Sequence, residues 1–78
     1  MASIEKTFAE RLRQEREAQG LKVKDLAEIA DLSAPSVIRN IENRRNMASL
    51  YTAATVASIL GVSLDWLVGL TDNKEVQK

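Results

Sequence analysis

The sequence predicts an all-α fold, a compact five-helix bundle formed by one domain. Apolar residues recur at spacings of three and four, no stretch alternates as a strand would, and serines and glycines divide the chain into short segments. A chain of 78 residues supports one core and leaves no room for a separate catalytic domain. We therefore expect a helical domain over residues 1–70 and a flexible polar tail over residues 71–78.

The first predicted helix runs to about Gln19 and ends at Gly20. Either Ser3 or Thr7 can cap its start, and Thr7 has Glu10 three residues later, the spacing of a capping box. Its apolar residues share one face of the helix, which is expected to be buried: Ile4, Phe8, Leu12 and Ala9.

The second and third predicted helices cover Val23 to Ala30 and about Ala34 to Asn43. Leu21, Leu26, Ile29 and Ala30 are expected on the inner face of the second helix. Pro35 suits the first turn of the third helix, with Ser33 or Ala34 as its cap. Ile38 and Ile41 can both face the core, which turns the polar residues between them outward.

The fourth and fifth predicted helices have clear boundaries. Ser49 caps a helix over Leu50–Leu60 that Gly61 ends, and Ser63 caps a helix over Leu64–Val68 that Gly69 ends. The stretch from residue 46 to residue 64 carries no charge, but its serines, threonines and asparagine make it too polar for a membrane span. We expect a buried helix instead.

The composition argues against an enzyme. The chain has no cysteine and no histidine, so it lacks thiol nucleophiles, the commonest general base and the commonest metal ligands. It contains no phosphate-binding loop or nucleophile–base pair either, so we expect no cofactor, metal or small-molecule substrate. No secretory signal opens the sequence, and we expect a cytoplasmic protein without a membrane partner.

The charges balance over the whole chain but not locally. Lysine plus arginine equals aspartate plus glutamate at 11 each, which by itself counts against a nucleic-acid partner. Between Arg39 and Arg45, however, three arginines stand against the single acid Glu42. The positive field is local and modest.

Four runs carry a resemblance that covers about Phe8 to Gly69. They are Arg11-Leu12-Arg13 with Arg16 before Gly20, Asp25-Leu26-Ala27-Glu28, Ile41-Glu42-Asn43, and Leu60-Gly61-Val62-Ser63-Leu64-Asp65-Trp66-Leu67. In these runs the chain resembles the Cro and phage-repressor family of helix-turn-helix domains, the xenobiotic-response-element type. The resemblance implies a lambda-repressor-like domain that binds double-stranded DNA through its third helix.

The resemblance assigns two sets of DNA contacts. An α-helix fits the major groove, where amides and arginines can make paired hydrogen bonds to base edges. The residues placed for base contacts are Ser36, Val37, Arg39 and Asn40. Those placed for phosphate contacts are Lys22, Lys24, Asn43, Arg44 and Arg45.

The chain differs from the family pattern at several positions near the third helix. The family usually has serine or threonine and then glutamine where this chain has Lys22 and Val23, so one phosphate-binding amide is missing. Asp31 and Arg44 stand where glycines are common. The turn has one extra residue, most simply Ala34, and Ala48 replaces a usual proline.

The resemblance also implies contacts that hold the domain and its dimer together. Arg16 and Glu42 are expected to form a partly buried ion pair between the first and third helices. Trp66 is expected to anchor the core or an interface, since one aromatic residue cannot form a stacking surface for bases. The surplus apolar residues near the last helix predict a homodimer surface: Leu64, Leu67, Val68 and Leu70.

The leading functional prediction is a sequence-specific transcriptional regulator, a repressor that binds a palindromic operator as a homodimer. A restriction-modification controller or an antitoxin would share the same domain. The alternative from another class is a protein-interaction module that has lost DNA affinity, which the zero net charge, Val23 and the longer turn favour.

Overall fold

The computed structural model describes residues 3–76, in which it shows five α-helices and no strand. These are α1 (Ile4–Ala18), α2 (Val23–Ile29), α3 (Ser36–Glu42), α4 (Leu50–Leu60) and α5 (Leu64–Val68). α1 packs against α3 and α5, α2 packs against α3, and α4 packs against α5. The predicted all-α bundle is confirmed. None of the helices in the described part of the chain is both long and apolar enough to cross a membrane.

Serine caps and glycine stops set most helix boundaries, as predicted. Ser3, and not Thr7, caps α1: its Oγ accepts a hydrogen bond from the Lys6 N–H at 3.0 Å. Ser49 and Ser63 cap α4 and α5: the Oγ of each serine accepts a hydrogen bond from the N–H of the third residue of its helix, Thr52 and Trp66 respectively. α4 and α5 therefore begin and end where the sequence predicts.

The start of α3 differs from its prediction. The helix begins at Ser36 and not at Ala34, and neither Ser33 nor Ala34 caps it. Pro35 is the capping residue instead, with φ −59° and ψ −25°, because its ring already holds φ near the helical value. The link between α2 and α3 is correspondingly long.

The core lies between the inner faces of the five helices. Six large side chains are completely buried there: Phe8, Leu12, Leu26, Ile38, Val56 and Leu67. Two predicted core residues are wrong, since Ile4 is 53% exposed and Ile29 is 57% exposed. Ile4 is the first residue of α1 and Ile29 the last of α2, so each lies at a helix end. The spacing of apolar residues predicts which face of a helix is buried. It does not predict whether the end of that helix extends past the neighbouring helices and leaves its last apolar residue exposed.

Polar side chains of α1 and of its C-cap residue, Gln19, bind the carboxyl ends of α4 and α5. The Gln19 amide donates to the Leu60 carbonyl at 2.7 Å. The Arg11 guanidinium donates to the carbonyls of Trp66 and Thr71 and lies 4.9 Å from the centroid of the Trp66 ring. The Leu60 carbonyl is one that the end of α4 leaves without a backbone partner, whereas the Trp66 carbonyl also accepts from the Gly69 N–H at 3.1 Å. Trp66 is buried, which confirms it as a core anchor.

The segment after α5 lies against α1. Asp72 forms an ion pair with Arg11 at 3.2 Å, and Lys74 forms one with Glu15 at 3.3 Å. The Ser63 N–H donates to the Lys74 carbonyl at 2.8 Å. Residues 77 and 78 of the predicted tail lie outside the described residues. The division into a domain and a flexible tail stays a prediction.

Candidate nucleic-acid interface

α3 presents one apolar face to the core and a polar face to the surface. Ile38 and Ile41 are buried, as predicted. The four residues predicted to contact bases lie outside the core: Ser36 and Arg39 are exposed, and Val37 and Asn40 are half-buried.

Three of these four residues line one groove. Ser36, Val37 and Asn40 form one wall of a groove of about 450 Å³. The opposite wall comes from the link after α3 and the start of α4: Asn46, Met47, Ala48, Ser49 and Thr52. Arg39 does not line the groove. The side-chain amide of Asn40 makes no hydrogen bond within the described residues, so its donors and acceptor are available to a ligand.

A sharp turn at the end of α3 creates this groove. Arg44 has φ +62°, in the left-handed region, and the amides of Arg45 and Asn46 both donate to the Asn40 carbonyl, at 2.8 and 3.3 Å. This turn brings the link back beside α3. Asn43, Arg44 and Arg45, the predicted phosphate contacts at the helix exit, are all exposed.

The basic residues near α3 lack acidic partners. Within residues 3–76, none of the basic residues predicted to contact DNA forms an ion pair: Lys22, Lys24, Arg39, Arg44 and Arg45. Arg11, Arg13 and Arg16 on α1 are instead each paired with a carboxylate. Three of the chain's acids are therefore neutralised by arginines of α1 and not by the basic residues at the exit of α3.

Glu42, the only acid in α3, is paired in the interior. Its two carboxylate oxygens accept from Arg16 Nε at 2.7 Å and Nη2 at 2.9 Å, and the two side chains are 9% and 6% exposed. The hydrogen bond to Glu42 raises the pKa of Arg16 above its ordinary value, which outweighs the opposing effect of burial. The third Arg16 nitrogen donates to the Leu21 carbonyl at 2.7 Å. One guanidinium thus joins α1, the link before α2, and α3.

The start of α2 has a local feature that we did not predict. Lys22 and Lys24 are exposed, in agreement with a surface role. The Lys22 N–H donates to Asp25 Oδ2 at 3.0 Å, so a carboxylate of the chain itself occupies part of this helix start. The signal was present, because an acid three residues after the capping residue is the capping-box spacing.

The residues on the far wall of the groove were also missed. From the sequence, Ser49 is predicted only as a helix cap, and Asn46 and Met47 have no predicted role. Ser49 does cap α4, and its hydroxyl also donates to Thr52 Oγ1 at 3.1 Å. The one feature of the sequence that could have indicated this wall is Asn46, because its side-chain amide directly follows two arginines.

The predicted dimer surface is only partly at the surface. Leu67 is wholly buried in the monomer core, so its assignment to an interface is wrong: as the fourth residue of α5 it faces inward beside Trp66. Leu64 and Val68 are half-buried, and Leu70 is 75% exposed. These three residues can still contact a second molecule.

The sequence and the fold of this chain are both similar to those of known proteins. The family model described as Helix-turn-helix matches residues 12–67 of the chain. The crystal structure of the clp gene regulator ClgR from Corynebacterium glutamicum has the same fold, with a TM-score of 0.77 at 24% sequence identity. The match covers 86% of this chain and 70% of that one. A search of curated protein sequences found no match.

Proposed function

We propose that this chain, which belongs to the helix-turn-helix family matched over residues 12–67, is a repressor that binds a palindromic operator as a homodimer. The family is one of DNA-binding transcription regulators of the Cro/C1 type. The structurally similar ClgR is itself described as a gene regulator, which supports the same assignment here.

One observation carries the proposal. The unbonded Asn40 amide and the Ser36 hydroxyl share a groove, and the arginines at the exit of the same helix have no acidic partner among the described residues. A DNA-reading helix needs both features, because amides read base edges while cations bind the backbone.

In the proposed complex α3 lies in the major groove. Asn40 donates to and accepts from one adenine, and Val37 packs on a thymine methyl group one turn earlier. Ser36 and Arg39 contact neighbouring bases. Arg44 and Arg45, with Asn43 and the lysines at the start of α2, bind phosphates and fix the orientation of the helix.

The homodimer requires a two-fold operator. Leu64, Val68 and Leu70 provide the proposed contact between copies, which places two α3 helices in successive turns of the major groove. The half-sites are then about 10 base pairs apart, centre to centre. Such a regulator acts where the chromosome is, so the proposal includes a cytoplasmic location.

Selection from random duplex DNA at a stated salt concentration tests the proposal. The expected product is a palindrome whose affinity exceeds that of a scrambled duplex by about 1,000-fold or more. Equal affinities for the selected and scrambled duplexes, or no binding at low salt, would instead favour a protein-interaction module. The feature that favours a protein-interaction module is a pair of exposed acids, Glu28 on α2 and Asp31 in the turn after it.

A further inference from the structure

Met47 is a large apolar side chain that stays exposed in the groove of α3. It lies on the wall opposite Val37 and Asn40 and is 42% exposed. The other apolar side chains that line the groove are more buried: Val37 and Ala48 are half-buried and pack against the core, and Ile41 belongs to the core. The packing of the domain therefore accounts for those three side chains but not for the exposed part of Met47.

The backbone around Met47 is fixed on both sides. One residue before it, the Asn46 N–H donates to the Asn40 carbonyl at 3.3 Å. Two residues after it, Ser49 caps α4 by accepting from the Thr52 N–H at 3.1 Å. Because these bonds connect the link to both α3 and α4, the backbone of Met47 is held near Asn40 before any DNA binds, and binding does not have to order it.

The surroundings of Met47 select its ligand. The same groove contains the Ser36 hydroxyl and the Asn40 amide, and Arg44 and Arg45, which precede Met47 in the link, form no ion pair within residues 3–76. These groups suit a base edge flanked by phosphates and not an apolar protein partner. Among the groups that the four base pairs present in the major groove, the apolar one is the C5-methyl group of thymine. An apolar side chain at this position therefore has one partner of matching chemistry on the bases.

We propose that Met47 contacts the C5-methyl group of a thymine in the operator, as a second apolar base contact beside that of Val37. The inference rests on the proposed function, because it requires α3 to lie in the major groove. The unbranched thioether side chain of methionine can adjust its torsion angles to reach the methyl group. Met47 thus adds a base preference from outside α3, at a position where the sequence predicts no contact.

Replacement of thymine by uracil removes this methyl group and leaves the hydrogen-bonding groups of the base in place. Each thymine in one half-site of the selected duplex is replaced in turn by deoxyuridine, and the affinities of full-length wild-type protein and Met47→Ala are measured at one salt concentration. At the thymine that Met47 contacts, uracil should weaken wild-type binding by about 3- to 5-fold, as the burial of one methyl group implies. Met47→Ala should lose this penalty at that position and keep the penalties at the other thymines.

Two further variants separate the Met47 contact from a general loss of apolar surface. Leu50→Ala is the matched control, since Leu50 is 78% exposed and near Met47 in the chain but does not line the groove. It should keep every uracil penalty of the wild type. Met47→Leu keeps an apolar side chain and should keep the penalty as well. Circular dichroism confirms that each variant is folded.

The outcomes distinguish this inference from the proposed function. Uracil penalties that are the same for wild type and Met47→Ala, on a duplex that the protein prefers, would overturn the Met47 contact and leave the proposed function in place. A penalty that Leu50→Ala also removes would overturn the contact too. Equal affinities for the selected and scrambled duplexes would instead overturn the proposed function, and the Met47 contact with it.

Discussion

Arg16 and Glu42 form a two-point ion pair across the domain, with Nε–Oε2 and Nη2–Oε1 distances of 2.7 and 2.9 Å. Both side chains are more than nine-tenths buried. The pair connects α1 to the last residue of the helix proposed to read DNA, so it couples the stability of the domain to the position of α3.

Glu42→Ala should therefore destabilise the domain strongly. The substitution leaves the Arg16 guanidinium buried without its carboxylate, which costs about 3 to 5 kcal/mol. Urea unfolding followed by the fluorescence of Trp66 measures the change. Glu17→Ala is the matched control, because Glu17 pairs with Arg13 at 3.7 Å and both side chains are more than half exposed. Its cost should stay below about 1 kcal/mol. Similar costs for the two variants would show that the Arg16–Glu42 pair is not buried in solution.

Arg44→Gly should stabilise the domain. Arg44 has φ +62°, a conformation that is unfavourable for a residue with a Cβ, and glycine relieves about 1 kcal/mol there. Asp31→Gly, at φ +56°, should gain less because aspartate tolerates this region better. Arg45→Gly is the control, since Arg45 has no positive φ, and it should bring no gain in melting temperature. A loss of stability in Arg44→Gly would contradict the left-handed turn after α3.

Arg11→Ala should loosen α5. Its guanidinium binds the carbonyls of Trp66 and Thr71 and covers the Trp66 ring, and hydrogen bonds from a charged group contribute about 1.5 to 3 kcal/mol. Because Trp66 is the only tryptophan, its emission should shift to longer wavelength as water reaches the ring. Arg13→Ala, on the exposed side of α1, should leave the emission unchanged. An unchanged spectrum in Arg11→Ala would argue against this contact.

Asn40→Ala and Arg45→Ala should affect DNA binding in different ways. Loss of the Asn40 amide should cost about 1 to 3 kcal/mol and relax the preference at one base pair. Loss of the Arg45 charge should weaken binding to all sequences and reduce the slope of log affinity against log salt by about one. Repeating the duplex selection and the salt titration with each variant measures both effects. An unchanged selected motif for Asn40→Ala would show that another residue reads that base.

The sequence predicts the parts of this fold that depend on local chemistry. The bounds of α4 and α5 are predicted correctly because a cap and a stop act only on their own helix. These residues are Ser49, Gly61, Ser63 and Gly69. The exposure of Ile4 could not be predicted in this way, since it depends on how far each helix extends past its neighbours.

The same limit applies to the candidate site. The outward face of α3 follows from the spacing of Ile38 and Ile41. The opposite wall of the groove does not, because Asn46 reaches it only through the reversal of the chain at Arg44. Arginine itself carries no signal for the left-handed region, and only the resemblance, in which Arg44 stands where glycine is common, indicated a turn at this position.

The central claim, that the groove of α3 faces DNA, is tested most directly by mapping amide chemical shifts while the selected duplex is added to isotope-labelled protein. The account predicts that the largest changes fall on Ser36, Asn40 and the residues from Arg44 to Asn46. Ala18, on the exposed end of α1, should stay unchanged. Changes concentrated on α1, or of equal size with a scrambled duplex at the same salt concentration, would contradict it.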